Sequence, residues 1–578
     1  MSTDVAALVN DTFDVWISAT ERKSSPGRGR GKKQSLYGIE QLRALILDLA
    51  MRGKLVPQDA ADEPATVLLS KLTAERLQRI KSGEIKGSQG PSRPSREPFD
   101  VPSGWTWIPL WKTGNIFAGN SISAALRSEL EKNEDGRPFI ATKDVGYGLE
   151  PMNYDNGLVV SLDDHRFSVA RPHSVFICAE GGSAGRKMAV SDREVSFGNK
   201  LIANEPWSQI EPRFVLYTYL SDFFFECFSK EMTGIIGGIS RAKFLALPFP
   251  LPPLAEQRRI IAKVDELMAL CDALEAQSAS ALEAHQVLVE TLLATLVNAS
   301  DTTDLTRQWA RLQAHFDTLF STESSLDSMR QTILDLAVRG LIVGQSANDE
   351  PARKLLQRVG NQKRPRGQLR KGGRAAFEAP SGWEWAVVQE LLNPNREISY
   401  GVIKLGPEPS SGGVPTLRCS DVKPGFVDLS GVRKVSEDIE SEYARTRLEG
   451  GEVVINIRGT LGGVSVVNQD LRGYNVAREV AVIPISCEIS SQFVVYLMMS
   501  SYFWGHIQEN LRGIAYKGLN LGVLRDLPVP VPPFAEQQRI VAKVDELFSV
   551  CEALKAGLAD AAESRRRLAA AIVERAAA

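Results

Sequence analysis

"LPPLAEQRRIIAKVDELMALC" runs from Leu251 to Cys271, and "VPPFAEQQRIVAKVDELFSVC" runs from Val531 to Cys551 in the same chain. The second phrase begins 280 positions after the first. Near-identity over a stretch of this length indicates an internal repeat, and internal repeats decide the fold before any other feature.

Each copy of the phrase has the pattern of a long helix. Paired prolines suit the first helical turn, which does not need their missing N–H groups, and Glu256 and Glu536 favour its positive dipole end. The pattern predicts a helix from about Leu254 to Val297, roughly 65 Å long at about 1.5 Å per residue. Its apolar stripe, a coiled-coil seam, consists of Ile260, Val264, Leu267, Cys271 and Leu274, repeated by Ile540, Val544, Leu547, Cys551, Leu554 and Leu558.

Two other blocks recur in the same order. "ILDLAMRGKLVPQDAADEPATVLL" from Ile46 is matched by "ILDLAVRGLIVGQSANDEPARKLL" from Ile333, and "FDVPSGWTW" from Phe99 is matched by "FEAPSGWEW" from Phe377. The blocks are separated by 287 and 278 positions, close to the 280 of the long phrase. The chain is therefore predicted to be a tandem duplication of a short helix, a linker, a module and a long helix.

A duplicated unit favours a pseudo-two-fold arrangement, with equivalent long helices antiparallel and the two modules on opposite sides. If the first short helix copies the central contact, it meets the last long helix, Ile46 near Ile540. We then expect the two ends of the chain to lie close together.

Composition limits the classes of protein that fit. The 578 residues carry a formal net charge of −2, so any contact with DNA needs local basic patches or partners. Six cysteines without a C-x-x-C pair and five histidines indicate neither a disulfide framework nor a zinc site, and we expect free thiols. No apolar run is long enough to span a bilayer and the N-terminus lacks a signal-peptide pattern, so we expect a cytoplasmic protein.

The modules, residues 99–250 and 377–530, alternate short β-branched or aromatic runs with glycine turns, which predicts a mixed α/β fold. Catalytic motifs are missing, including the [ND]-P-P-[FY] motif of amino-methyltransferases and the phosphate-binding loop. "GGSAGRK", from Gly181, lacks the spacing of that loop, so we interpret it as a tight turn that brings backbone close to DNA or to a neighbouring strand.

Aromatic and basic segments flank the modules. Trp105, Trp107, Trp383 and Trp385 could stack on bases, but their place in matched "PSGWxW" phrases favours structural anchors at the module entry. The basic linkers are either solvated tethers or segments that follow phosphates when DNA is bound. These linkers are Arg22 to Lys33, Arg79 to Pro98 and Arg358 to Arg374.

From about Tyr37 onward, the repeated "LPxPxPPxAEQxRIxAKVDEL" phrase, the "ILDLAxRGxxV" helix and their duplication resemble the specificity subunit of type I restriction–modification enzymes. The resemblance implies two target-recognition domains separated by long antiparallel coiled-coil helices. Each domain would read one half of a split, asymmetric duplex DNA site. The first 36 residues add little to the match.

The same resemblance implies the partners and the cofactors. The helices would dock two methyltransferase subunits, which bind S-adenosylmethionine and methylate adenine. A restriction and translocase subunit that uses ATP and magnesium would join for cleavage. No cofactor is expected in this chain, which would perform no bond chemistry. Two domains about one helical turn apart, roughly 34 to 36 Å, would lengthen the recognised sequence.

Candidate contacts are basic or hydrogen-bonding residues beside glycine turns or in segments echoed between the modules. The predicted DNA contacts are Lys143, Arg186, Lys187, Lys200, Arg241 and Lys243 in the first domain, and Arg418, Lys423, Arg458, Arg478, Arg512, Tyr516 and Lys517 in the second. The predicted partner-docking residues, on exposed sides of the long helices, are Glu256, Gln257, Arg259, Glu536, Gln537 and Arg539. A purely capping role is the alternative for the two glutamates.

The predicted division of the chain has nine parts. They are an N-terminal extension (1–36), a short helix (37–57), a helix and basic linker (58–98), the first domain (99–250), a long helix (251–298), a connector with the second short helix (299–345), a basic linker (346–376), the second domain (377–530) and the last helix (531–578). Two other functions stay open. One is a scaffold whose modules bind protein ligands, and the other is a cryptic nuclease, for which no paired carboxylates stand at useful spacing.

Overall fold

The computed structural model describes residues 12–23, 33–87, 90–133, 135–234, 237–299, 302–359, 377–511 and 518–577. The chain divides into two compact units. Unit 1 consists of Met1–Ser280 and Ala561–Ala578, and unit 2 consists of Ala281–Asp560. The boundary passes through both long helices, so each unit contains the first part of one long helix and the last part of the other.

The framework of unit 1 is helical. It contains α1 (Phe13–Ser18), the hairpin of β1 (Glu21–Lys23) and β2 (Lys33–Ser35), α2 (Tyr37–Met51), α3 (Ala65–Lys81) and the first part of α8 (Leu254–Val297). The predicted long helix is confirmed with both of its limits.

The module of unit 1 is enclosed by two antiparallel strands, β3 (Thr106–Pro109) and β12 (Pro248–Leu251). One inner sheet has the order β4 (Gly114–Ala118), β11 (Leu201–Pro206), β8 (Val175–Cys178), β9 (Met188–Val190). The other has the order β6 (Val159–Val160), β5 (Arg137–Ile140), β10 (Val195–Phe197), β7 (Val169–Ala170). The helices are α4 (Ala124–Leu130), α5 (Pro212–Leu220), α6 (Asp222–Glu231) and α7 (Arg241–Leu245). The mixed α/β prediction is confirmed.

Unit 2 repeats this plan. Its helical framework contains α9 (Thr302–Gln313), α10 (Phe316–Leu319), α11 (Glu323–Val338), α12 (Ala352–Val359) and the first part of α17 (Phe534–Ala577). Its module is enclosed by β13 (Glu384–Val387) and β23 (Pro528–Val531).

The strands inside this second module form small sheets as in unit 1. One sheet has the order β14 (Ser399–Tyr400), β22 (Val480–Ile483), β19 (Val453–Asn456), β20 (Val464–Val466). A second sheet has the order β18 (Arg433–Val435), β15 (Val414–Leu417), β21 (Asn475–Val476). The third is a hairpin of β16 (Val422–Lys423) and β17 (Phe426–Val427). The helices are α13 (Glu437–Ser441), α14 (Ser491–Met499), α15 (Ser501–Leu511) and α16 (Leu521–Arg525).

Each core joins a short helix to the start of the long helix of the same copy. Ile46 and Ile260 are buried in the core of unit 1, and Ile333 and Ile540 are buried in that of unit 2. The prediction that Ile46 meets Ile540 is therefore wrong. The apolar side chains of α2 are buried in a cluster that contains the start of α8 and the last turns of α17, but not Ile540.

Both ends of the described chain belong to the core of unit 1. Trp16 near one end and Ala569 near the other are fully buried in the same apolar cluster. The prediction that the ends lie close together is confirmed, although the contact involves the last turns of α17 and not its beginning.

The duplication reaches further towards the N-terminus than the sequence analysis recognised. "TFDVWIS" from Thr12 forms α1, and "HFDTLFS" from His315 forms α10. Trp16 and Leu319 occupy matched positions in these phrases, and both are buried. The match is offset by 303 positions, because the first copy inserts residues 20–35 between this helix and α2. Residues 12–18 therefore contribute part of the repeated framework.

The linker after α3 lies along the first module over its described part. The Trp111 indole donates to the Pro91 carbonyl over 2.8 Å, and the Ser95 amide donates to the Ala246 carbonyl over the same distance. These bonds make residues 90–98 part of the module surface and not a free tether. The linkers Arg22 to Lys33 and Arg358 to Arg374 fall mostly outside the described residues.

Candidate nucleic-acid interface and its framework

Each module is held where it enters and leaves the framework. In unit 1, strands β3 and β12 pair Trp107 with Pro250, and the Trp105 indole donates to the Glu256 carboxylate over 2.9 Å. In unit 2, strands β13 and β23 pair Trp385 with Pro530 in the same register. Trp105 is 5% exposed. The interpretation of these tryptophans as structural anchors is confirmed.

Gln257 is fully buried and fixes the module to the start of α8. Its side chain accepts from the Glu211 amide over 3.0 Å and donates to the Pro252 carbonyl over 3.2 Å. Gln537 makes the equivalent bonds to Ser490 and Pro532, over 2.8 and 2.9 Å. Each glutamine satisfies two backbone groups that would otherwise be buried without a partner.

Four of the six predicted docking residues are buried. Glu256, Gln257, Glu536 and Gln537 are at most 1% exposed, so the expectation that they lie on exposed sides of the helices is wrong. Burial occurs because the first helical turn inserts between the module and the loop that follows the short helix. These four side chains are therefore closed to a partner in this structure.

The two arginines of that set bind within their own units. The Arg259 guanidinium forms a forked pair with Asp62 over 3.2 and 2.6 Å, and Arg539 forms the same pair with Asp349 over 3.3 and 2.6 Å. Two parallel charge-assisted bonds fix orientation as well as distance. Both arginines are partly exposed, so a partner could still reach their outer edges.

Burial raises the pKa of the Glu256 carboxyl, against the lowering effect of hydrogen bonds from Trp105 and Gln58. Because the folded-state pKa is raised, protonation of Glu256 stabilises the folded chain at low pH. This stabilisation is fully present below the unfolded pKa of about 4.3 and is lost as pH rises through the folded pKa. Glu256→Gln stays neutral. Its stability relative to the native chain is therefore expected to improve as pH rises through the folded pKa of Glu256 and then to level off, as measured by urea midpoints between about pH 4.5 and 7.5. A difference that is constant over this range would contradict the prediction.

The two modules share one backbone register despite their different sequences. The Gly198 amide donates to the Ile140 carbonyl over 2.9 Å, and the Ala477 amide donates to the Leu417 carbonyl over 2.8 Å. A second pair of bonds extends the match, since Ala179 donates to Lys200, and Ile457 donates to Glu479, both over 2.8 Å. Positions in one module can therefore be matched one by one to positions in the other.

A buried aspartate supports the same loop in each module. Asp144, 3% exposed, accepts from the Ala141 amide, and Asp421, 4% exposed, accepts from the Arg418 amide, both over 2.9 Å. A carboxylate that bonds the backbone three residues earlier fixes the turn between them. The side chains presented by this loop are therefore held in place.

The two modules carry different side chains at matched positions of this common backbone. These positions lie beside the loop that follows β8 in the first module and β19 in the second. The charges are reversed at two positions that lie close together on the backbone. The first module has Glu180 and Lys200 where the second has Arg458 and Glu479. Two further differences are Lys143 against Ser420 and Asn199 against Arg478. One backbone thus carries two different sets of hydrogen-bonding side chains, with Glu180, Lys200 and Arg458 exposed and Glu479 half-buried.

Four of the predicted contacts in the first module surround this loop. Lys143, Arg186 and Lys200 are exposed. The Lys187 ammonium donates to the Thr142 carbonyl over 3.3 Å and lies 5.0 Å from the centre of the Tyr147 ring. The turn "GGSAGRK" is confirmed as tight, since Gly181 and Gly185 have φ of +92° and +70°. The fold thus brings cations from three segments close to this loop, while the Arg186 guanidinium lies 5.2 Å from the centre of the Phe225 ring.

The other two predicted contacts in this module are bound internally. Arg241 donates to the Ile116 carbonyl over 3.0 Å, and Lys243 donates to the Glu231 carbonyl over 3.2 Å. In the second module, Arg525 donates to the equivalent Ile398 carbonyl over 3.0 Å from a different position on its helix. Recurrence of this bond from different sequence positions points to a role in holding α7 and α16 against the sheet.

The predicted contacts of the second module divide into three groups. Arg418 is turned inward, bonded to the Asp421 carboxylate and, over 2.6 Å, to the Gly431 carbonyl. Lys423 lies on β16, while Arg458 and Arg478 are exposed at the positions that match Glu180 and Asn199 of the first module. Arg512, Tyr516 and Lys517 lie outside the described residues.

The sequence analysis missed exposed apolar side chains next to these cations. Tyr147 and Leu149 in the first module and Phe426 in the second are 53%, 46% and 58% exposed. The signal in the sequence is a glycine followed by a large apolar residue, at Gly148 and Gly425, both in the left-handed region with φ of +62° and +88°.

Within the described ranges, no three histidine, cysteine, aspartate or glutamate side chains stand close enough to hold a metal ion. All six cysteines are free thiols, as expected. Among the helices of the described residues, none is long and apolar enough to cross a bilayer.

Known proteins provide an independent comparison. The family model described as the type I restriction modification DNA specificity domain matches residues 102–284 and 402–564, together more than half of the chain. The chain is 33% identical to the type I restriction enzyme EcoAI specificity subunit of Escherichia coli and 31% identical to the EcoEI specificity subunit of the same species. Each alignment covers 99% of both proteins.

Solved structures include the crystal structure of an HsdS subunit from Thermoanaerobacter tengcongensis. It is 18% identical, with 83% of this chain and 98% of that chain covered at a TM-score of 0.38. At this level the structural likeness adds no argument, so the assignment rests on the sequence relatives and on the family model. By the extent of those two matches, the chain belongs to the family of type I restriction enzyme specificity subunits.

Proposed function

We propose that the chain is the DNA-sequence specificity subunit of a type I restriction–modification complex, and that each module reads one half of a split, asymmetric duplex site. One observation carries the proposal. The modules share their backbone hydrogen bonds but carry different, partly charge-reversed side chains at matched positions. Hydrogen-bond donors and acceptors at base edges carry sequence information in the major groove, so one frame with two patterns suits two half-sites.

The framework suits a spacer. Each long helix has 44 residues, and its first turn is hydrogen-bonded to one module. We propose that the helices fix the distance between the half-sites and dock two methyltransferase subunits, with restriction subunits joining for cleavage. The side chains of Glu256, Gln257 and their equivalents are buried and cannot contact a docked subunit. Docking would therefore use the outward faces of the long helices.

On this proposal the chemistry belongs to the partners. The methyltransferase subunits would bind S-adenosylmethionine, the restriction subunit would use ATP and magnesium, and this chain would hold no cofactor. The complex would act in the cytoplasm, where its DNA substrate is. A purified chain that cleaved duplex DNA with magnesium alone would contradict the non-catalytic role.

The function can be tested by co-expressing the chain with its methyltransferase partner and mapping modified adenines across a genome. A split motif is expected. Exchanging residues 99–250 for the equivalent module of a relative should change one half of the motif and leave the other half and the gap unaltered, because only one reader has changed. Modification without a split motif, or equal affinity for all duplexes at physiological salt, would refute the proposal.

A further inference from the structure

Both modules expose a large apolar side chain at a glycine turn. We define the tip turns as residues 146–150 in the first module and 423–427 in the second. They present Leu149, with Tyr147 beside it, and Phe426. Single exposed apolar residues are common on proteins, but here they recur at the corresponding loop of two modules whose sequences otherwise differ.

The tip turns are held rigidly against the module. In the first, the Tyr147 amide donates to the Glu150 carboxylate over 2.9 Å, and Tyr147 bridges to Lys187. In the second, the Gly425 amide donates to the Val464 carbonyl over 2.8 Å. The buried aspartates at the foot of each turn, Asp144 and Asp421, fix it further. An apolar side chain on such a support can exert force without folding back onto its own surface.

Lysines lie beside both tip turns, although the first turn also carries the Glu150 carboxylate and Asp428 follows the second. Lys143 and Lys187 flank the first tip turn, and the Lys187 ammonium lies 5.0 Å from the Tyr147 ring centre. In the second, Lys423 pairs directly with Phe426 across the hairpin. A suitable partner accepts an apolar wedge and offers anionic groups beside it. The interior of a duplex, with stacked bases between two phosphate chains, combines these properties.

We propose that Leu149 and Phe426 insert between base pairs beside the target adenine of each half-site and hold that step unstacked while the base leaves the helix. The inference rests on the proposed function and deepens it. Enzymes that modify a base must extrude it, and apolar wedges that open a base step are a known way for a protein to lower the cost of that distortion. The chain would therefore assist methylation by positioning DNA, without touching the transferred methyl group.

The test uses the complete complex of this chain with its methyltransferase partners and a duplex that contains the mapped site. Phe426→Ala is expected to slow methylation at one half-site by on the order of 10-fold to 100-fold, because the wedge no longer supports unstacking. Leu149→Ala should slow only the other half-site. Leu162→Ala is the matched control, since Leu162 is 62% exposed in the same module but belongs to a different loop, where its carbonyl accepts from Arg137.

A second measurement separates a wedge from a general binding contact. A mismatch opposite the target adenine weakens pairing in advance, so it should restore methylation by Phe426→Ala to within a few-fold of the native complex. Fluorescence of 2-aminopurine placed at the target should rise on binding of the native complex and rise less with the variant.

Three results would overturn the proposal. They are unchanged rates at both half-sites, a slowed rate that the mismatch does not rescue, and loss of complex assembly, which would assign the tip turns to a protein partner. In each case the native complex would still methylate a split site. Failure of the native complex to do so would instead refute the proposed function itself.

Discussion

Trp105→Ala is expected to lower the free energy of unfolding of unit 1 by about 3–5 kcal/mol, the range for removing a large buried aromatic side chain. The ring is 5% exposed and packs edge-on against Phe214, with 6.4 Å between ring centres. Its removal also takes one donor from the buried Glu256 carboxylate. Urea denaturation of the full chain, followed by circular dichroism, would show an earlier first transition.

Trp105→Phe serves as the control for this prediction. Phenylalanine keeps most of the apolar volume and loses the indole N–H, so the expected cost is smaller, about 1.5–3 kcal/mol for a hydrogen bond to a charged group. Equal losses for alanine and phenylalanine would show that the hydrogen bond and not the packing dominates at this anchor.

Gln537→Leu is expected to destabilise unit 2 by about 2–4 kcal/mol, because it leaves two buried backbone groups without partners. These groups are the amide of Ser490 and the carbonyl of Pro532. Leucine fills a similar volume, so the loss reports the polar contacts. Urea denaturation measures it in the same way as for Trp105.

The neighbouring residue supplies a matched control. Gln538 is exposed on the same helical turn, and Gln538→Leu is expected to change stability by no more than about 0.5 kcal/mol. A similar loss for both variants would mean that leucine disturbs the helix itself, and it would remove the argument for a buried clamp.

The framework could be predicted from the sequence because its repeat and its helical stripes are local signals. The limits of α8, Leu254 and Val297, follow from prolines and apolar spacing. The relation between α1 and α10 was missed because the insertion of residues 20–35 changes the offset between the copies. The predicted nine-part division remains a prediction. The compact units cut through the long helices, which no linear pattern signals.

The candidate site was harder to predict because charge in a sequence does not show direction. Arg241 and Arg418 look like free cations beside turns, yet both donate to backbone carbonyls of their own module. Glu256 and Gln257 look like exposed polar residues on a helix, but the module covers them. The sequence does not show which positions of the two modules correspond, because the correspondence of Lys200 with Glu479 depends on shared backbone hydrogen bonds.

The place of residues 561–577 in unit 1 has a consequence for the order of folding. A chain synthesised from its N-terminus completes the contiguous residues 281–560, which make up unit 2, before it releases the segment that fills the core of unit 1. Ala569 is fully buried in that core, so the half of the protein made first must wait for the last turns of α17. Nascent unit 1 therefore keeps an apolar surface open until synthesis ends, and truncation near the C-terminus should damage the opposite end of the sequence.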